Sequence, residues 1–335
     1  MYTQFFGLKE KPFEITADPR FLYLSDSHKE ALAHLIYAMQ EKKGFAVITG
    51  EVGTGKTTLV QTLLSRMDGS TRTAFLFNPK LDSSNEFLQS ICEDLEVNVE
   101  KGTKGDCLAH LNNFLMDCYT KNISVVLIVD EAHTLSPQLL EEVRLLTNLE
   151  TPNSKLLQVI LVGQPELDFT LDQPQFRSLK QRVSVRYCLQ PLNPKEVKEY
   201  IKRRLRVAGA KNTYLFTPEA LKRIYRYSKG IPRLINIVCD NALVNGYASE
   251  KQVIGDDIIR EVISDLAGFS RGRFWGKSKN IMFLSALAFV LLLFIGALYF
   301  WGPVNVWGSL QDLWGKSWEQ LVAIFSLSSV SRGRG

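Results

Sequence analysis

Phe45-Ala46-Val47-Ile48-Thr49-Gly50-Glu51-Val52-Gly53-Thr54-Gly55-Lys56-Thr57-Thr58 is the stretch from which the rest of the chain can be read. Its first five residues form a short, mostly apolar run suited to a buried strand. Gly50 to Thr57 then match G-x-x-x-x-G-K-[ST] in full, and a helix pattern through Leu59, Leu63 and Leu64 follows. Strand, glycine loop and helix in this order place main-chain N–H groups and a helix N-terminus around a phosphate. Lys56 is then expected to reach the β- and γ-phosphates, and the Thr57 hydroxyl to ligate Mg²⁺. Residues 50–58 are therefore the expected nucleotide-binding loop, with ATP and Mg²⁺ as cofactors.

Moving outward, Val125–Val129 is five apolar residues in a row, the signature of a strand covered on both faces, and it ends in Asp130-Glu131. It falls about 75 residues after the loop with a strand candidate, Ala74–Phe77, between them. Asp130 is expected to hold Mg²⁺ and Glu131 to polarise the attacking water. Leu157–Val162 is the next apolar strand, and Gln164 emerges just beyond it, at the same sheet edge. Helix patterns at His28–Lys43 (capped by Ser27), Phe87–Leu95, Cys107–Thr120 and Leu139–Leu149 alternate with these strands, and Val183–Leu189 is a last strand. Alternation of this kind specifies an α/β fold with a mostly parallel sheet flanked by helices.

After Pro191-Leu192-Asn193-Pro194 only helices are expected, at Lys195–Val207, Pro218–Ser228, Pro232–Asn245 and Gly255–Leu266. Asn193 and Thr217 read as N-caps, each followed by Pro. The expected division is 1–193 for the sheet domain and 194–267 for a small all-helical lid. A basic linker over 268–280, a membrane helix over 281–301 and a tail over 302–335 complete the chain. Ile281–Trp301 carries no charge, and about 21 residues at 1.5 Å each span about 31 Å, the thickness of a hydrocarbon core. Arg271, Arg273, Lys277 and Lys279 precede it, while the first basic residue after it is Lys316. That asymmetry orients the nucleotide domain to the cytoplasm of a single-pass inner-membrane protein and the tail, with Trp307, Trp314 and Trp318, outside.

Composition excludes little by itself. The net charge of +5 is too mild to argue for nucleic acid, and five scattered cysteines without C-x-x-C spacing read as reduced, mostly buried thiols. Residues 1–27, with Phe5, Phe6, Phe13, Phe21 and Tyr23, read as a segment lying against something else, and Met1–Leu8 is not a secretory signal. Basic runs such as Lys202-Arg203-Arg204 read as solvated helix faces.

These motifs in this order resemble an AAA+ ATPase. The resemblance implies that Gln164 is a first sensor and that Arg233, in Gly230-Ile231-Pro232-Arg233, is a second sensor touching the γ-phosphate. It also implies an arginine finger among Arg177, Arg182 and Arg186, with Arg182 the first choice. Met1-Tyr2, Phe5-Phe6-Gly7-Leu8, Lys11-Pro12-Phe13, Asp18-Pro19-Arg20-Phe21, His28-Lys29-Glu30-Ala31-Leu32 and Leu161-Val162-Gly163-Gln164-Pro165-Glu166-Leu167 are similar to the ExeA family of general secretion ATPases. Over residues 1 to about 270 that resemblance implies a nucleotide-dependent homo-oligomer working with envelope-complex proteins in secretion, pilus or exopolysaccharide systems. A DNA-acting regulator is the competing reading, and the membrane helix argues against it.

Overall fold

The computed structural model describes residues 1–271, except 16, 17, 68, 78–80, 82, 100 and 101. The expected membrane helix at 281–301 and the tail at 302–335 lie outside the described residues. Among those described, no helix is long and apolar enough to cross a membrane. Met1–Ser264 form one compact unit.

Five strands build the central sheet: β1 (Phe45–Gly50), β2 (Thr71–Leu76), β3 (Ser124–Val129), β6 (Leu157–Gly163) and β7 (Val185–Leu189). Between β3 and β6 a two-residue hairpin forms β4 (Glu150–Thr151) and β5 (Ser154–Lys155). The sheet order is β2-β3-β6-β1-β7, and every pair in it is parallel. Parallel strands need crossovers, and these are supplied by α3 (Lys56–Leu64), α4 (Ser84–Asp94), α5 (Lys104–Thr120), α6 (Pro137–Leu146), α7 (Pro165–Leu171) and α8 (Arg177–Lys180). The period-two alternation of the strands feeds two cores. Val47, Leu127, Val129, Val159 and Leu161 pack with Phe87, Leu111 and Leu139 on one face. Ile48, Val126, Ile128, Ile160 and Val162 pack with Leu35, Leu59 and Leu63 on the other. Both faces are covered, which is why these strands read as continuous apolar runs.

The strand order decides where the chemistry goes. β3, β6 and β1 are consecutive neighbours, so the residues that follow them emerge side by side, about 5 Å apart per strand. Val129 pairs with Leu161 and Thr49 with Gly163, so all three strands end at nearly the same level.

Before the sheet come α1 (Tyr2–Phe5) and α2 (Asp26–Gln40), and after it α9 (Pro194–Val207), α10 (Pro218–Ser228), α11 (Pro232–Ala248) and α12 (Asp256–Arg271). Asn193 and Thr217 cap as expected: Asn193 forms a capping box with Glu196, and Thr217 accepts from the Ala220 N–H. α2 starts earlier than the sequence reading placed it. Ser25, not Ser27, accepts from the His28 N–H as the N-cap, which frees the Ser27 hydroxyl to meet Tyr187 at 3.1 Å. β7 begins at Val185, two residues later than expected, because the N–H groups of Arg182 and Val183 are spent on turn bonds to Leu179 and Lys180. Four cysteines are buried, and Cys188 is exposed.

Candidate nucleotide site

The loop after β1 closes on itself. Lys56 opens α3, and its Nζ donates to the Gly50 carbonyl at 2.8 Å and the Glu51 carbonyl at 3.1 Å. Burial draws its pKa below the ordinary lysine value, against the pull of Glu131 and Asp130. Such an ammonium is poorly solvated and held in the rim that a phosphate would occupy. Gly53 sits at φ +82°, and a Cβ there would come within 2.6 Å of Arg233 Cβ. The glycine is thus what lets α11 approach the loop, and the Arg233 N–H donates to the Gly53 carbonyl at 3.3 Å.

At the end of β3, Asp130 is fully buried, with its N–H bonded to the Leu76 carbonyl of β2 at 2.9 Å. Its Oδ2 accepts from Thr57 Oγ1 at 2.7 Å, and its Oδ1 from the Glu131 N–H at 2.9 Å. Burial pushes the carboxyl pKa up, opposed by those two hydrogen bonds. Thr57 and Asp130 are hard oxygen donors in contact, and they fit a Mg²⁺ ion that completes its shell with phosphate and water. Among the described residues, no three His, Cys, Asp or Glu side chains converge as a metal cage.

Glu131 takes a left-handed backbone, φ +55°, which turns it out of line with β3. Its Oε2 accepts from Gln164 Nε2 at 3.4 Å, across from the end of β6. His133, which the sequence reading did not single out, joins them: the Gln164 N–H donates to its Nδ1 at 3.4 Å, and that nitrogen lies 3.3 Å from Glu131 Oε2. One ring nitrogen cannot accept from Gln164 and donate to Glu131 at once, so only one of these two contacts is a hydrogen bond at any moment.

Lys56, Thr57, Glu131 and Arg233 all line one cavity of about 320 Å³, within the range of small-molecule sites. Its far wall was not foreseen. Phe21, Leu22 and Tyr23 of the N-terminal segment face Leu192, Tyr200 and Arg204 there. Arg204 is buried rather than solvated. Its guanidinium donates to the Pro12 carbonyl (2.5 Å), the Glu14 carbonyl (3.0 Å) and the Tyr200 hydroxyl (2.9 Å), and its carbon lies 4.8 Å from the Phe21 ring centroid. Arg203 Nε donates to the Leu22 carbonyl at 2.5 Å. Two of the three residues in the basic run therefore strap the N-terminal segment to α9, which explains why that segment is aromatic and irregular. His28 links the same segment to the loop, its Nε2 meeting the Thr54 carbonyl at 3.1 Å, and burial lowers its pKa. No spacing signal in the sequence marks His28 or Arg204.

The three arginines proposed for a trans role differ. Arg182 Nη1 donates to Thr147 Oγ1 at 2.9 Å, and Arg186 is held by Asp168 at 2.6 Å and Asp172 at 3.1 Å. Arg177 is exposed at the start of α8. None of them lines the cavity of its own chain.

A strand-borne phosphate loop, a buried carboxylate beside its threonine and a polar residue on the intervening strand define a class, and the family comparison agrees: the AAA domain family matches residues 39–171. Residues 39–171 are thus a P-loop ATPase domain of the AAA class. Within that class the chain is similar to General secretion pathway protein A of Aeromonas hydrophila, at 47 % identity over 262 residues, as the ExeA resemblance implied. The match covers 76 % of this chain and 47 % of the relative, so the chain spans about half the relative's length. Among solved structures, Drosophila ORC bound to DNA matches at a TM-score of 0.61 and 16 % identity, covering 96 % of this chain and 82 % of that one. The Aeropyrum pernix ORC2 protein matches at 0.56 and 17 %, covering 77 % and 71 %. At such identities the likeness is one of fold alone.

Proposed function

We propose that the chain is a membrane-anchored ATPase that couples ATP binding and hydrolysis to the assembly or operation of a bacterial envelope machine for secretion, pilus or exopolysaccharide export. The observation that carries the reading is the 2.7 Å contact between Thr57 and Asp130 beside the loop lysine. It brings together two hard oxygen donors, Thr57 and Asp130, that would hold Mg²⁺ beside the phosphate loop. Bound Mg²⁺ would supply charge neutralisation on the transferring phosphoryl group. The chain's own groups do the rest. N–H groups of residues 50–58 and Lys56 hold the phosphates, Glu131 takes the proton of the attacking water, and Gln164 orients that carboxylate. α9–α12 act as a lid whose Arg233 reaches the γ-phosphate.

A cation supplied in trans completes the site, which requires a homo-oligomer. α8 and the turn after it carry the candidates: Arg182 must leave Thr147 to act, whereas exposed Arg177 need not. The envelope role, the inner-membrane location through 281–301 and the cytoplasmic orientation rest on the secretion relative's name and on the sequence. A DNA-acting role is weakened, because Arg204 is buried on main-chain carbonyls and Arg203 Nε is bound to the Leu22 carbonyl.

The test is ATP turnover by the full chain in detergent micelles, across protein concentration, with and without duplex DNA. Turnover per subunit should rise with concentration, ignore DNA, and drop by about 10³-fold on Lys56→Ala. An unchanged rate in that variant would sink the enzymatic assignment, and strong stimulation by DNA would move the DNA-acting reading to first place.

A further inference from the structure

α9 has a second working face. Tyr200 and Arg204 face the nucleotide cavity, while Pro194 and Lys198 border a groove of about 830 Å³ formed with α10. Tyr214, Phe216, Leu221, Tyr225 and Val253 line it, and Tyr214 and Val253 are 67 % and 49 % exposed. Lys198, Lys222 and Arg226 stand exposed around it. An apolar groove this size, edged by one sign of charge, is a surface that gains by being covered.

The same chain carries a matching knob. Phe169 on α7 is 73 % exposed, more than any other large hydrophobic side chain described except Met1. Glu166, three residues earlier and so on the same helix face, is exposed too, whereas Asp168 is engaged by Thr49 and Arg186. α7 packs against α8, which bears Arg177. On the groove side, Leu192 lines the nucleotide cavity and Pro194, two residues on, lines the groove.

We propose that Phe169 of one copy seats in the α9–α10 groove of a second copy, with Glu166 against Lys198, Lys222 and Arg226. This head-to-tail contact would bring Arg177 of α8 and Arg182 just after it toward the second copy's nucleotide. It deepens the oligomeric reading above and rests on it.

Cross-linking of the full chain in detergent, with Mg²⁺ and a non-hydrolysable ATP analogue, tests the contact. One population carries Thr170→Cys beside the knob and the other Thr213→Cys at the groove edge, so that Phe169 and Tyr214 are kept, both with the exposed Cys188 changed to Ser. A short bis-maleimide should link the mixture into a species of two chains and leave each variant alone unlinked. Glu166→Lys should lower that yield about tenfold, and Lys222→Glu in the other population should restore it. Because Phe169 is exposed, Phe169→Ala folds, and it should raise the concentration needed for assembly about tenfold or more. Sedimentation as an oligomer without the mixed cross-link, or with assembly unmoved by Phe169→Ala, overturns the docking alone. A chain that stays monomeric overturns both the docking and the oligomeric ATPase.

Discussion

The two walls of the nucleotide cavity are built by different means. The phosphate wall is assembled from the ends of three adjacent parallel strands, and each of its groups sits within two residues of a strand end or in the loop and first helical turn that follow. The opposite wall is an N-terminal segment strapped to α9 by Arg203 and Arg204, across separations of 181 to 192 residues. The first wall inherits its geometry from the sheet and changes shape only if the sheet does. In the second, the described part of the N-terminal segment has only a short helical turn at Pro19–Phe21 on this wall and is held to α9 by a few polar contacts, so it is the part of the site expected to yield first.

The joint between the walls should break most severely. Gly230 lies at φ +81° in the turn between α10 and α11, and a Cβ there would lie 2.0 Å from the Leu192 carbonyl oxygen, a backbone atom that cannot rotate away. The Leu192 N–H donates to the Gly230 carbonyl at 2.9 Å, so the same pair fixes both Leu192 and the approach of Arg233. Gly230→Ala should cost about 4 kcal/mol or more. Thermal melting should fall by about 12 °C. A melting point within about 2 °C of the parent would show that the joint is not the constraint.

Arg204→Ala should come next. It leaves the Pro12 and Glu14 carbonyls without their donor, at about 3 kcal/mol, and loosens Phe21 from the cavity. Melting should drop by roughly 8 °C, and the KM for ATP should rise several-fold with little change in kcat if the wall only binds. Arg204→Lys should be milder yet still measurable, at about 1–2 kcal/mol, because an ammonium cannot reproduce the fork that spans two carbonyls and a phenol. Equal losses of kcat in both Arg204 variants would mean that the strap also positions the phosphate wall, and the contrast between the walls would fail.

The same contrast explains what could be read in advance. Val125 to Glu131 announces both a two-face-buried strand and its terminal carboxylates, because burial and topology act there through consecutive residues. Asn193 and Thr217 likewise declare their helices locally. Arg204 gives no such signal: in a run of three basic residues on an amphipathic helix, which one turns inward depends on a partner segment almost two hundred positions away. His133 was missed for a related reason, since its neighbours Glu131 and Gln164 come from two strands whose adjacency follows from sheet order. Ser25 displaced Ser27 as the cap of α2 because Ser27 has a tertiary partner in Tyr187.

The central claim is that the phosphate wall activates water through Glu131, held by Gln164 beside the Thr57–Asp130 pair. The most direct measurement is ATP binding and ATP turnover by full-chain Glu131→Gln, compared under identical Mg²⁺. Binding within about threefold of the parent with turnover lowered by about 10²- to 10⁴-fold is the expected result. Turnover preserved in that variant would contradict the account and move the activation of water to another group.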